Sequence, residues 1–372
     1  MKVPFLDLQG QHARIRGELD AAVRAVVDDC AFIQGKPVAR FEAALAKQLE
    51  RRHARGVSSG TAALSIALRA LGVGPGDEVI TTAHTAVPTA ESILLVGARP
   101  VFVDVDPETW LIDADRVEAA LTPCTRALLP VHLYGMPAPL DRLLALAAQH
   151  GLPLVEDCAQ AAGARLHGKR LGSFGRAGCH SFFPSKNLGG FGDGGALATD
   201  DDGIAEFAAM YRDHGRKEKF VHEIMGANER LDGLQAAVLE VKLRYLDEWN
   251  ARRREVAGWY AEELAGIRSV RLQRRSAPSA EPVWHLFAVC VEDRDGLAKH
   301  LADRGVGTGI HYPLALSQQP MFARCAAPGD FPVAERVCRE VLSLPMDPFL
   351  EREQVSWVCE AVKQFCVERR WT

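Results

Sequence analysis

Between about residues 55 and 200, short apolar runs alternate with segments whose apolar residues recur at helical spacing. RGVSSG leads into TAALSIALRALG, DEVITT is followed by VPTAESILLVG, and PVFVDV and RALLPVHLY precede a helical LDRLLALAAQHG. LPLVEDCA, GCHSFFP and GALATD complete the series. Continuous apolar strands interleaved with helices belong in a mainly parallel sheet covered on both faces. Ser58 and Ser59 stand where the first of these helices needs a cap, and Gly72 and Gly151 stand where two helices must stop. Beyond about residue 203 the pattern turns helical. Residues 231–264 read as one long helix, 271–282 as a loop, 283–292 as a strand, 297–305 as a helix and 355–367 as a terminal helix. The pattern predicts an α/β chain with a large domain over 1–248, including an N-terminal arm, and a small α+β domain over 249–372.

Composition narrows the partners. The 372 residues are 48% hydrophobic and 25% charged, with a net charge of −4, which is ordinary for a soluble globular protein and offers no basic footprint for nucleic acid. The longest uncharged stretch, 305–323, carries three Gly and two Pro, so no membrane span is expected. Pro4 and Asp7 stand where a signal peptide would need an apolar run. Nine cysteines, odd in number, scattered and without a C-x-x-C pair, predict buried free thiols in a reducing cytoplasm, with neither a disulfide framework nor a metal site.

Four local signals carry chemistry. In SSGTAAL, Gly60 lets a strand-to-helix turn bring backbone N–H groups and a helix N-terminus to an anion, although a plain capped helix would look the same. In LVEDCAQ, Glu156 and Asp157 end an apolar strand, where α/β folds bind ligands. Strand alternation puts the two carboxylates on opposite faces, so they are not a catalytic pair. An acid there can bind a metal, act as a base, pair with a protonated heterocycle or simply cap a turn. In SFFPSKNLGGFGDGGAL, Lys186 follows an apolar strand and precedes five glycines within 189–195. A lysine desolvated in such a turn becomes a nucleophile toward carbonyls, whereas one in water is only a surface charge. The glycine run fits neither dinucleotide nor Walker patterns. In GANERLDGLQAAVL, Asn228 precedes the long helix and can cap it.

Taken in order, SSGTAAL, GDEVITTAHTAVPT, PVFVDVDPET, VEDCAQAAGA, SFFPSKNLGGFGDGGAL, GANERLDGLQAAVL and WNARRREVAGWY resemble the DegT/DnrJ/EryC1/StrS sugar aminotransferases along essentially the whole chain. The resemblance implies an aspartate-aminotransferase-like fold (fold type I) and pyridoxal 5'-phosphate as cofactor. It assigns Lys186 to the cofactor aldehyde and to subsequent proton transfer, Asp157 to the pyridine nitrogen, and Gln160 to the ring hydroxyl. Gly60, Thr61 and Ser181 would hold the phosphate, together with Asn228 donated across a homodimer interface. Family members often carry an aromatic residue two places after His84 that stacks on the ring. Ala86 stands there in this chain, so His84 is the candidate for the ring face, or else a structural histidine.

WHLFAV and GTGIHYPLALSQQPMF resemble the branch acting on nucleotide-linked 3-keto sugars, with His285, His311 and Tyr312 as substrate-side candidates or as satisfied polar residues at a domain junction. Ala315 and Ser317 replace the Pro and His that often follow HYP in that branch, which leaves the sugar open. Glutamate or glutamine is the implied amino donor, and amino-sugar and polysaccharide biosynthesis the implied setting. Related dehydratases carry histidine in place of the lysine, and Lys186 is retained. A cyclitol aminotransferase would differ only in substrate. A non-enzymatic regulator on this scaffold would tolerate loss of Lys186 or Asp157, and both are present.

Overall fold

The computed structural model describes residues 1–326 and 329–369. The strands of the first part are β1 (His53–Val57), β2 (Glu78–Thr82), β3 (Arg99–Val103), β4 (Thr125–Leu129), β5 (Val155–Asp157), β6 (Ala177–Ser181) and β7 (Gly195–Thr199). β3, β2 and β4 pair in parallel, with Ile80 opposite Val101 and Leu128. β5 and β6 are parallel with Asp157 opposite Cys179, while β7 runs antiparallel to both β6 and β1. Parallel bridges Leu128–Leu154 and Val131–Asp157 join the two sets, so the spatial order is β3-β2-β4-β5-β6-β7-β1. Every residue of β2 and of β7 is buried, as expected for a sheet covered on both faces.

The helices that cover it follow from the same pattern. α1 (Arg16–Asp28) and α2 (Gly35–Gln48) precede the sheet, and α3 (Gly60–Ala70), α4 (Val87–Leu95), α5 (Leu140–His150) and α6 (Asp202–Tyr211) punctuate it. Ala63, Ile66 and Ala67 of α3 pack with Val79, Leu129, Val155 and Leu197 on one face. Leu140, Leu143 and Leu146 of α5 pack with Ile80, Val103 and Leu128 on the other. Ser59 caps α3 by accepting the Ala62 N–H at 3.1 Å, and Gly151 closes α5 in the left-handed conformation at φ 65°.

The stretch 231–264 is two helices rather than one: α7 (Gly233–Leu243) and α8 (Leu246–Glu263). The chain breaks at Arg244–Tyr245, where the Tyr245 hydroxyl and the Arg244 guanidinium both bond Glu18 of α1 and the Tyr245 ring stacks on Trp249 at 5.6 Å. Tertiary bonds override a continuous helical pattern there. The expected loop 271–282 holds β8 (Arg271–Leu272) at one end, while Ala280–Glu281 at its other end pairs with Arg165–Leu166. Strand β9 is only Phe287–Cys290, because Val283 and Leu286 spend their N–H groups on the carbonyls of Gly135 and Tyr134. β8, β9 and β10 (Val341–Leu344) form a small antiparallel sheet, backed by α8, α9 (Arg294–Asp303) and α11 (Arg352–Glu368), while α10 (Pro332–Glu340) leads into β10.

This second core contains Val256, Tyr260, Phe287, Val289, Leu301, Leu342, Val358 and Phe365. Val3 joins it from the other end of the chain, donating its N–H to the Gly305 carbonyl at 2.9 Å and accepting from Gly307 at 2.8 Å. The nine cysteines are all free, with Cys30 and Cys124 exposed rather than buried. Among the described residues no helix is long and apolar enough to cross a membrane.

Candidate active site

A 390 Å³ cavity lies where the C-terminal ends of β5 and β6 meet the start of α3 and the segment carrying His311 and Tyr312. Gly60, Thr61, Asp157, Gln160, Ser181, Lys186, His285, His311 and Tyr312 all line it. The sheet explains this convergence, since parallel strands deliver their chain ends to one edge. Gly60 lies so close to β6 that a Cβ on it would stand 2.8 Å from Ser181 Cβ. Only glycine therefore lets the α3 N-terminus, with its free N–H groups and positive dipole end, sit against Ser181.

Lys186 follows β6 in a tight turn closed by its own N–H to the Phe183 carbonyl at 2.8 Å. Its ammonium faces the cavity, and burial lowers its pKa to about 8 although Asp157 pulls the other way. Asp157 is buried, and its Oδ2 accepts the Thr89 hydroxyl at 2.8 Å while Oδ1 accepts the Ala159 N–H at 3.0 Å. Burial raises this carboxyl, and the Ala159, Thr89 and Lys186 interactions only partly offset it. Gln160 Oε1 accepts the Tyr134 N–H at 2.6 Å and its Nε2 donates to Tyr312 Oη at 3.1 Å, leaving one amide hydrogen of Gln160 for the cavity.

The tautomer of His285 can be assigned from its partners. Asn187 Nδ2 donates to Asn250 Oδ1 at 2.9 Å and to the Val283 carbonyl at 3.1 Å, so Asn187 Oδ1, 3.1 Å from His285 Nδ1, must accept. His285 thus carries its proton on Nδ1 and keeps a bare Nε2. Burial, and then Lys186, hold its pKa well below the usual histidine value. His311 is likewise lowered to about 4 by burial and by Lys186, and burial pushes Tyr312 up to about 12.

Two candidates lie elsewhere. His84 does not line the cavity. It is 1% exposed, with Nε2 2.8 Å from Tyr134 Oη and Nδ1 3.2 Å from Cys338 Sγ, and Thr85 and Ala86 form the wall in its place. Asn228 is exposed and lies off this chain's own cavity, and it does not cap α7, which starts at Gly233 after Asp232.

Glu156 faces away from Asp157, as alternation requires. Its oxygens accept from the N–H groups of Gly172, Phe174 and Gly175 at 2.7–2.8 Å and lie 3.2 Å from His132 Nε2. His132 Nδ1 accepts the Ala138 N–H at 2.9 Å, so Nε2 carries the proton. Glu156, His132 and Cys158 cluster within ligand distance, but the hydrogen bonds already occupy both Glu156 oxygens and both His132 ring nitrogens.

Residues 13–363 match the DegT/DnrJ/EryC1/StrS aminotransferase family. The chain belongs to that family. A dTDP-3-amino-3,4,6-trideoxy-alpha-D-glucose transaminase of Streptomyces venezuelae is 47% identical over 365 residues, covering 98% of this chain and 96% of that one. A UDP-2-acetamido-2-deoxy-3-oxo-D-glucuronate aminotransferase of Pseudomonas aeruginosa is 40% identical, covering 97% and 99%. A crystal structure of S. venezuelae DesV in complex with a ketimine intermediate superposes with a TM-score of 0.96 at 48% identity, covering 98% of each chain. Family membership makes this chain a transaminase of fold type I that uses pyridoxal phosphate.

The cavity fits that cofactor on its own terms. It pairs a lysine of lowered pKa with a buried carboxylate, and the cradle between Gly60 and Ser181 would be filled by a single added methyl group. Thr89 and Tyr134 have no counterpart in the sequence reading. Thr89 closes the GDEVITTAHTAVPT motif at the start of α4 without a role of its own there, and only the Tyr134–Gly135 pair could have signalled the second.

Proposed function

We propose that this protein transfers an amino group from glutamate or glutamine to the keto group of a nucleotide-linked sugar, at C3 of a keto-(deoxy)sugar, in amino-sugar biosynthesis. The observation that carries the reading is Lys186, with its pKa near 8, sharing one cavity with Asp157 and the α3 N-terminus. Relatives named for 3-amino and 3-oxo nucleotide sugars support the substrate class.

Gly60, Thr61 and Ser181 would hold the cofactor phosphate at the helix start, where N–H groups and dipole favour an anion. Asp157 would sit at the ring nitrogen as its counter-charge, held in place by Thr89 and Ala159. Gln160 would offer its remaining amide hydrogen to the ring oxygen. Pyridoxal phosphate, when bound, supplies an aldehyde and a ring that takes up carbanion charge. Lys186 would hold the cofactor at its aldehyde, and its free amine would carry a proton between the substrate's carbon and nitrogen. A pKa near 8 suits it to both states of that cycle. His285, His311 and Tyr312 form the sugar side of the cavity. Neutral His285 Nε2 accepts a hydrogen bond there, and neither His285 nor His311 competes for the Lys186 proton.

Asn228, exposed and outside its own cavity, suits donation to the phosphate of a second copy, so the working unit is a homodimer, and the nine free thiols suit a reducing cytoplasm. We take the domain division near residue 248, a reading supported by the place of Val256, Ala257 and Tyr260 of α8 in the second core.

Borohydride reduction of the cofactor-loaded protein followed by peptide mass spectrometry should place the cofactor on Lys186. Lys186→Ala should lose both the adduct and transamination. An adduct on another lysine, or turnover by Lys186→Ala, overturns the assignment. Amination of a keto-cyclitol but of neither dTDP- nor UDP-linked 3-keto sugars overturns the substrate.

A further inference from the structure

Tyr134 does not line the cavity, yet it bonds two residues that do, Gln160 and His311. Its backbone is left-handed, φ 60° and ψ 10°, directly before Gly135 at φ 87°. Such a conformation is held in a tyrosine only when its surroundings over-determine it. Its N–H donates to Gln160 Oε1 at 2.6 Å, its carbonyl accepts from Leu286, and its hydroxyl bonds the His311 carbonyl. The hydroxyl also lies 2.8 Å from His84 Nε2, and His84 Nδ1 lies 3.2 Å from Cys338 Sγ.

Donor and acceptor roles in this chain are forced. The His311 carbonyl can only accept, so the Tyr134 hydroxyl donates to it. Tyr134 Oη must then accept from His84 Nε2–H, which leaves His84 Nδ1 as the acceptor of the Cys338 thiol. Each member is fully satisfied in its neutral form. On the other side, the Tyr134 N–H can be met only by the oxygen of the Gln160 amide. That turns Gln160 Nε2 toward Tyr312 Oη at 3.1 Å and toward the cavity. Tyr134, Gln160, Tyr312 and His311 therefore close a ring of contacts. The ring couples the cofactor-side amide to the sugar-side wall, and His84 and Cys338 tie it to α10.

We propose that Tyr134 is a positioning residue for amino transfer: it fixes Gln160 as a donor toward the cofactor and holds His311–Tyr312 as the wall that receives the sugar. Only the kinetic arm of the test rests on the transaminase reading. Tyr134→Phe keeps the ring and the backbone N–H but removes the hydroxyl. It also leaves His84 Nε2–H buried without its acceptor.

We expect the KM for the keto sugar to rise about tenfold or more, the effect of a lost hydrogen bond plus an unsatisfied buried donor. kcat should fall less than KM rises, and hydrogen exchange should accelerate at the amides of 309–315. Tyr312→Phe acts on the same ring, so the Tyr134→Phe/Tyr312→Phe double variant should be less than additive in log KM. Strict additivity overturns the proposal, and unchanged exchange at 309–315 overturns it even if the protein aminates no sugar. Should Tyr134→Phe fail to fold, nitrogen-15 spectra of the wild-type protein decide. His84, assigned with a His84→Asn variant, must be neutral with its proton on Nε2 at pH 7. A proton on Nδ1 overturns the proposal.

Discussion

Replacing Glu156 by glutamine turns one oxygen into an NH₂ group and leaves the side-chain volume almost unchanged, so any effect is electrostatic. In the native protein Oε1 accepts from Phe174 and Gly175, and Oε2 from Gly172 and His132. All four partners are donors, so in either orientation the glutamine points its NH₂ at two of them. His132 cannot relieve the conflict by changing tautomer, because its Nδ1 already accepts the Ala138 N–H. Two bonds to a charged acceptor are lost at about 1.5–3 kcal/mol each, or about 3–6 kcal/mol together. That is a large share of the roughly 5–15 kcal/mol that holds a typical native state. With a urea slope of about 3 kcal/mol per molar, the unfolding midpoint should fall by about 1–2 M.

The pH dependence adds a second test. Burial pushes the Glu156 carboxyl up, and the His132 and backbone N–H bonds more than reverse it, leaving it below the usual range. A carboxyl lowered on folding stabilises above its unfolded pKa, about 4.3, and loses that contribution as pH falls through the folded value. The gap between wild type and Glu156→Gln should therefore be full at pH 7 and shrink below about pH 4. A midpoint within about 0.3 M of wild type at pH 7 would refute the view that these bonds hold the Gly172–Gly175 loop against the Asp157 strand.

Further outcomes are expected around the cavity. Thr89→Val removes a bond that lowers the Asp157 carboxyl, so the acidic limb of the transamination profile should shift to higher pH, read from kcat/KM against pH. Asp157→Asn should still bind cofactor, yet lose transamination by orders of magnitude. In the cofactor-free protein it should also lower the Lys186 pKa below about 8, measured by pH-dependent labelling of the amine, because Asp157 is what raises it. Co-expressed Lys186→Ala and Asn228→Ala chains should regain activity as hybrid dimers, and verified hybrids without activity would place Asn228 within its own chain's function.

The parallel sheet was legible because its strands are buried on both faces and so leave continuous apolar runs such as the one ending at Asp157. The cavity was legible where chemistry is local in sequence, as at Lys186 ahead of its glycine run or Gly60 at a helix start. It was illegible where a side chain's role depends on a distant partner. His84 looks suited to a ring face, but Tyr134 and Cys338, remote in the chain, take both its nitrogens. The break at Tyr245 depends on Glu18, and Thr89 earns its role only because Asp157 lies 2.8 Å away. Helical periodicity carries no trace of either contact.

Val3 has a consequence for how the chain is made. It shares one core with Phe365, and next to it Phe5 stacks on His311 at 5.7 Å while its carbonyl accepts from Met346. During vectorial synthesis the large sheet can assemble as its strands emerge, but this core waits until its last helix has left the ribosome. Until then the early segment stays unpaired, its apolar side chains open to chaperones or to misplaced partners. The wall of the cavity behind His311 is then completed late, by the joining of two remote stretches, so the cavity takes its final form only after this core has assembled.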